Sequence, residues 1–177
     1  MQNNQSLDCL HFAAQGNQPR ILNYLLKLEH LQRDQSLRGN VNHFRYEKKD
    51  VNGFTALHWA CHSGSYQAVR YLLANGSDPN AQTYNERSTP LLVAMRVIGE
   101  TREPKILHKL LLYGADASYS DVNGESCETL IEALDPELQH QCKDLLENIG
   151  KGSRKHQGLF CKGRKLRCLK QNRTKKN

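Results

Sequence analysis

Residues 50–82 read DVNGFTALHWACHSGSYQAVRYLLANGSDPNAQ, and this stretch decides the fold. Aspartate, asparagine and glycine in residues 50–53 predict a turn, and a short helix is expected to follow from Thr55. A second helix should place the apolar side chains of residues 68–73 on one side, and the Asn-Gly pair at 75–76 should end it. The stretch therefore predicts a helical hairpin whose apolar stripe has no partner inside the hairpin itself.

The same pattern recurs along the chain. LHFAA at residues 10–14 is echoed by LHWAC 47 residues later, and TALHWA at residues 55–60 is echoed by TPLLVA 34 residues later. A further copy begins with DVNG at residues 121–124, the same four residues that open the second copy. Hairpins of this kind bury their stripes only against their neighbours, so stability requires a stack of about three or more.

These turn, T-x-L-H and leucine-pair motifs resemble those of the ankyrin-repeat family. The resemblance covers residues 6–149 and implies an all-α ankyrin-repeat solenoid, in which helix-turn-helix units are joined by β-turn or hairpin loops. The third unit departs from the family pattern, because it lacks the turn aspartate and glycine and has Leu92 in place of histidine. The short array is also loosely similar to inhibitor-of-NF-κB-like ankyrin proteins. Within a domain of residues 1–149, the expected repeats are 6–30, 50–82, 83–118 and 119–149.

Two segments are longer than the family pattern. The first is an insertion at residues 31–49, expected as a loop in place of a tight hairpin, and both a functional loop and a plain linker remain open. The second is a run of about four extra residues within RVIGETREP at 96–104, expected between the two helices of the third repeat.

Charge divides the chain into two parts. Of the 25 Lys and Arg residues, eleven lie in residues 151–177, which contain no acidic residue, so the first 150 residues hold 14 basic and 18 acidic side chains. The basic tail, residues 150–177, is expected to be disordered or partly helical and to have an anionic partner. A nuclear signal, a phosphate-binding patch and an inert solvated tail are the alternatives. The basic residues that would act are Lys162, Arg164, Lys165, Arg167, Arg173, Lys175 and Lys176.

Two histidines, a cysteine and the chain's single tryptophan crowd the first helix of the second repeat. His58 and His62 are four residues apart, a spacing that would let both reach one metal ion, but the glutamate of an HExxH motif is missing and no third ligand is evident. In the ankyrin family the T-x-L-H histidine bonds to backbone groups of neighbouring turns. The resemblance therefore assigns His58, and His11 in the first repeat, to the structure. Trp59 and Cys61 are expected to face neighbouring repeats.

No motif indicates catalysis or a bound cofactor. The sequence contains no Walker lysine loop, GxSxG or GxGxxG, and its six cysteines are scattered without CxxC pairs, which indicates thiols in a reducing compartment. No apolar run approaches the roughly 20 residues of a membrane span, and the first residues lack the features of a signal peptide. We therefore expect a noncatalytic, monomeric protein of the nucleus or cytoplasm, with no catalytic residue, cofactor, metal or integral membrane segment.

The resemblance also implies where a partner would bind. Arrays of this family bind proteins on a concave surface made of turn tips and first helices. Phe54 is the strongest candidate, because an exposed aromatic on a rigid turn is a common hot spot; its alternative role is packing against the neighbouring turn or the insertion. The candidate partner-binding residues are Val51, Asn52, Phe54, His62, Ser63, Asn85, Glu86, Ser88, Arg96, Val122, Asn123 and Glu125.

These features favour a protein–protein interaction module, an adaptor or inhibitor, whose tail binds importin for nuclear entry or another anionic partner. The rival hypothesis is a nucleic-acid-binding protein in which the tail is active and the repeats deliver it, although no DNA- or RNA-binding motif accompanies the charge. A third function, substrate adaptor of a ubiquitin ligase, would need a C-terminal box with apolar helical spacing, which the lysine-rich tail fits poorly.

Overall fold

Eight helices form in the part of the chain that the computed structural model describes, residues 7–35, 47–102 and 104–148. They are α1 (Cys9–Gln15), α2 (Pro19–Gln35), α3 (Ala56–His62), α4 (Tyr66–Ala74), α5 (Pro90–Thr101), α6 (Lys105–Leu112), α7 (Cys127–Glu132) and α8 (136–148). These residues form no β-strand, and the prediction of an all-α solenoid is confirmed. The basic tail and most of the 31–49 insertion lie outside the described residues.

The helices pair into four hairpins, which we number as repeats one to four. The first helices, α1, α3, α5 and α7, pack side by side, and the second helices α2, α4 and α6 form another row. One continuous apolar core lies within this stack, with Leu57, Leu72 and Leu110 completely buried. Burial of each such leucine contributes about 1.5–3 kcal/mol, so the array is held together by contacts between hairpins.

A buried aspartate holds the turn that opens the second repeat. The Asp50 carboxylate accepts hydrogen bonds from the backbone N–H groups of Asn52 and Phe54, both at 2.9 Å. In the fourth repeat Asp121 makes the same two bonds, to the N–H groups two and four residues on, at 2.8 and 2.9 Å. The recurring DVNG motif is therefore a recurring turn in which one aspartate side chain adds two hydrogen bonds to those of the backbone.

The third turn has no aspartate and contains one more residue. It spans residues 83–88, where Thr83 donates its N–H to the Ser88 carbonyl at 3.1 Å and its hydroxyl accepts the Ser88 N–H at 3.0 Å. Arg87 adopts a φ of 56°, and this left-handed residue absorbs the extra length. The added residue explains why the T-x-L motif of the third repeat follows that of the second repeat after 34 residues, one more than the 33 of a regular repeat.

The T-x-L-H histidine His58 and its counterpart His11 tie one repeat to the next, as the resemblance implies. His58 Nδ1 accepts the Thr55 N–H at 3.1 Å, so Nε2 carries the proton and donates to the Ser88 carbonyl at 3.2 Å. His11 makes the corresponding contact to the Lys48 carbonyl at 3.1 Å. Burial lowers the pKa of both rings from the ordinary 6.5, that of His58 to about 4, so both rings are neutral at pH 7. With both ring nitrogens of His58 engaged, its role is structural.

Two helices extend into the segments that are longer than the family pattern. α2 continues to Gln35, past the start of the expected loop at residue 31, because the LQRDQ sequence there favours a helix. α5 has 12 residues against seven in α3, so the extra residues of the third repeat lengthen its first helix and do not form a connection. The expectation of a longer connection there is wrong. The apolar pattern continues through Ile98, which is buried, and the helix ends at Arg102, whose φ is 51°.

Candidate protein-binding surface

A groove of about 570 Å³ opens between the second-repeat turn, α3 and α5. It is formed by two consecutive repeats, with the turn and α3 on one side and α5 on the other. Five of the residues predicted to contact a partner line it: Asn52, Phe54, His62, Glu86 and Arg96. We call this feature the α3–α5 groove.

The sequence interpretation missed four further residues that line the α3–α5 groove: Trp59, Val93, Val97 and Glu100. Helical periodicity was the signal that would have found them. On α5 the positions 93, 96, 97 and 100 lie on one face, and on α3 Trp59 lies three residues before the predicted His62. Val97 and Glu100 belong to the extra length of α5, so that extension also lengthens one wall of the groove.

Aromatic rings form the apolar part of the groove. The Trp59 indole N–H donates to the Asp50 carboxylate at 3.2 Å, and its ring centroid lies 6.0 Å from that of Phe54 and 6.2 Å from that of His62. Phe54 also meets His58 edge to face at 5.5 Å and is partly buried against the core. Trp59 therefore lines the groove. The sequence analysis had instead expected it to pack against a neighbouring repeat. Phe54 combines its two expected roles, since it packs locally and still lines the groove.

Arg96 sits among carboxylates on the opposite side. Its guanidinium lies 2.7 Å from Asp121, 2.9 Å from Glu125 and 3.2 Å from Glu86. The Asp121 side chain has no exposed surface, so the guanidinium compensates a desolvated charge that would otherwise be costly. Three carboxylates around one cation leave a local excess of negative charge, and Glu100 adds to it along the same wall.

The turn tips carry a second set of exposed residues outside the groove. The Tyr84 N–H donates to the Asn52 carbonyl at 2.9 Å and the Val122 N–H donates to the Glu86 carbonyl at 3.0 Å, so consecutive turns lie side by side in register. Val51, Tyr84 and Val122 occupy equivalent tip positions and are 50%, 59% and 58% exposed. The sequence analysis missed Tyr84 as a tip residue because the extra residue in the third turn shifts its alignment with the second turn. The predicted Asn85, Asn123 and Ser63 are also exposed, and Glu125 is half-buried.

Ser88 does not lie on the surface. It is completely buried, although the sequence placed it among the contact residues. The longer third turn directs it inward, where its backbone bonds to Thr83 and His58, and its hydroxyl accepts from Arg96 at 3.0 Å. Ser88 therefore supports the groove wall and is not available to a partner.

The described residues contain no group of three or more His, Cys, Asp or Glu side chains placed to hold a metal ion. Among the same residues, no helix is both long and apolar enough to cross a membrane. The basic residues from Lys162 to Lys176 lie outside the described part. A second cavity, of about 310 Å³, lies between α7 and α8 and has Glu128 and Glu132 on its edge.

Comparison with known proteins agrees with the stacked hairpins. The family model described as ankyrin repeats (three copies) matches residues 1–83. Over 117 residues, or 66% of its length, the chain is 30% identical to the B-cell lymphoma 3 protein homolog of Mus musculus, and it spans 23% of that protein. This match confirms the loose similarity to inhibitor-of-NF-κB-like ankyrin proteins. Residues 1–83 therefore match the ankyrin-repeat family, and the stacked hairpins continue the ankyrin fold beyond them; ankyrin repeats are protein–protein interaction modules and typically noncatalytic.

Proposed function

We propose that this chain is an adaptor or inhibitor that binds a protein partner through the α3–α5 groove and the adjoining turn tips. The observation that carries the proposal is the groove itself, in which aromatic rings fixed by packing and hydrogen bonds face a charged wall. Side chains that are already ordered lose little entropy on binding, and rigid aromatics in partly desolvated pockets are typical hot spots. The contact residues of the proposal are the groove-lining side chains and the exposed turn tips Val51, Tyr84 and Val122.

The proposal also includes the division of the chain and its location. We take residues 1–149 as the repeat domain and residues 150–177 as a tail that directs the protein to the nucleus through importin. Protein molecules that are not imported stay in the cytoplasm. We propose a monomer. The similarity to the B-cell lymphoma 3 protein homolog supports a regulatory role, although the chain spans only 23% of that relative.

Groove variants test the function. The tagged full chain is expressed in cells, and captured proteins are quantified for the wild type, Phe54→Ala, Val97→Asp and Tyr24→Ala. Tyr24 is an exposed aromatic on α2, outside the groove, and serves as the matched control. Loss of a hot-spot contact of about 2 kcal/mol lowers affinity roughly 30-fold, so the first two variants should lose their specific partners and the control should keep them.

Stability must be measured alongside capture, because Phe54 also packs against the core. Thermal unfolding of each purified variant separates loss of the fold from loss of the contact, and Val97→Asp places a charge at a half-buried position of the groove wall. If both groove variants remain folded and capture the same proteins as the wild type, the groove is not the binding surface.

A second candidate function, nucleic-acid binding by the tail, is favoured by one observation: eleven basic and no acidic side chains in residues 151–177. Contacts with phosphates release counterions, so such binding should weaken steeply with salt. Titration of labelled DNA and RNA with the full chain at 50 and 200 mM salt tests this function. A loss of roughly a thousandfold in affinity over that range would favour the tail as the active part.

A further inference from the structure

We propose that the basic tail of this chain, residues 150–177, docks in the α3–α5 groove and competes there with the protein partner. The competition rests on the proposed function, whereas the docking does not and is tested without any partner. Three properties of the chain lead to this inference: the charge of the groove, the composition of the tail and the length of chain beyond α8.

The charge of the groove suits a basic occupant. Glu86 and Glu100 line it, and Glu86, Asp121 and Glu125 pair with Arg96, so the groove and its wall hold four carboxylates and one guanidinium. Because Arg96 is already paired at 2.7–3.2 Å, its charge is directed at these carboxylates and away from an incoming ligand. Their excess negative charge lies beside apolar walls, where screening by water is weaker than on an open surface.

The tail has the complementary composition. It carries eleven basic residues and no acidic one, with the apolar pair Leu159 and Phe160 close to the cluster that starts at Lys162. An apolar anchor next to cations matches a groove in which the rings of Phe54 and Trp59 lie opposite carboxylates. A lysine or arginine placed over the Trp59 ring would gain a cation–π contact in addition to the ionic ones.

The tail is also long enough to reach the groove. α8 is described to residue 148, which leaves 29 residues of the chain, and α7 of the same repeat packs directly against α5. Fully extended, 29 residues span about 95 Å, and even a random coil of that length averages about 30 Å end to end. Adjacent helices are only about 10 Å apart, so the groove is well within reach and the effective concentration of the tail is in the millimolar range.

Carbodiimide coupling of the full chain tests the docking directly. The reagent converts a carboxylate into an O-acylisourea, and a lysine amine within contact distance attacks its acyl carbon. The urea leaves, and the resulting amide survives proteolysis and mass spectrometry. We expect tail lysines such as Lys162 and Lys165 to couple to Glu86 and Glu100 in the monomer fraction. The yield should fall about fivefold or more in 0.5 M NaCl, where the Debye length is only a few ångströms.

Matched variants locate the site. The double variant Glu86→Gln with Glu100→Gln should remove the coupling, and Glu128→Gln with Glu132→Gln, at the second cavity, should leave it unchanged. Coupling confined to Glu128 and Glu132, coupling found only in dimers, or no coupling to the groove carboxylates at low salt would each overturn the proposal. None of these results depends on a partner, so failure here would leave the proposed function standing, and failure of partner capture would leave the docking standing.

Trp59 gives an independent measure, because it is the chain's single tryptophan and lines the groove. Displacement of the tail by salt should shift its emission maximum to longer wavelength in the full chain. The same salt series on a full chain whose tail lysines and arginines are replaced by glutamine should begin at that wavelength and remain there. Identical emission from both proteins at low salt would contradict an occupied groove.

Discussion

Acidification should loosen the array through His58. The ordinary pKa of the ring is 6.5, and burial lowers it to about 4 in the folded protein. The unfolded chain therefore binds a proton between pH 6.5 and 4 that the folded chain does not. The contribution of the neutral ring to stability is complete above pH 6.5 and is lost as the pH falls through that window. Roughly 2.5 pH units at 1.36 kcal/mol per unit correspond to about 3 kcal/mol.

This loss is a substantial part of the stability of an ordinary domain, about 5–15 kcal/mol. His11 should add to it in the same direction, because burial lowers its pKa as well. Urea unfolding of the full chain, followed by circular dichroism at pH 7.0, 6.0, 5.0 and 4.5, measures the free energy of unfolding at each pH.

Two variants separate His58 from the other titrating groups. In His58→Leu, which copies the residue found at the equivalent position of the third repeat, stability at pH 7 should fall by about 1–3 kcal/mol because hydrogen-bond partners are lost, and the pH dependence should become shallower. His62→Gln, an exposed histidine on the same helix, should keep the wild-type pH dependence. If the wild type and His58→Leu lose equal free energy between pH 7.0 and 4.5, the assignment of the pH effect to this ring is wrong.

Two further substitutions test the turns and the charge cluster, each against a matched control. Gly53→Ala and Gly124→Ala both strain a residue with positive φ, at 86° and 80°, by about 1 kcal/mol. Only the new methyl at Gly53 would collide with the next turn, at the Tyr84 backbone nitrogen, so that variant should unfold at a clearly lower temperature, and equal losses would contradict packing of turn on turn. Arg96→Met leaves a buried carboxylate without its cation and should cost about 3 kcal/mol in urea unfolding, whereas Arg102→Met, from an exposed ion pair, should change stability by less than about 0.5 kcal/mol. Similar losses for the two arginines would mean that the cluster does not stabilise the fold.

The repeat fold could be predicted from the sequence because its signals are local and recur. The DVNG turns, the T-x-L-H histidines and the leucine pairs each fix one piece of the hairpin, and the copies reinforce one another. For His58 the resemblance to the family implied a bond to a neighbouring turn, and the structure gives its acceptor as the Ser88 carbonyl. Burial followed from the same pattern, because an apolar stripe on a hairpin requires a neighbouring hairpin.

The groove could be predicted only in part because it depends on how two repeats combine. Family positions led to Phe54 and Arg96, yet Val97 lines the groove only because α5 is longer than α3. The apolar pattern that continues to Ile98 was the signal that the extra residues stay helical, but comparison with the family pattern treated them as a longer connection. The sequence analysis placed Ser88 on the surface and missed Tyr84, and both errors have the same cause. The single added residue in the third turn moves the Ser88 side chain inward and the Tyr84 side chain outward.

The extra length of α5 joins the groove to the far end of the array. Gly99, in this extension, lies beside Leu134, since a methyl group added there would be in ordinary contact with that side chain at 3.5 Å, and Arg102 donates to Asp135 at 2.7 Å. A molecule held between α3 and the last turn of α5 would consequently brace the fourth hairpin without touching it. Amide protons in α7 and α8 should then exchange with solvent more slowly whenever the groove is filled.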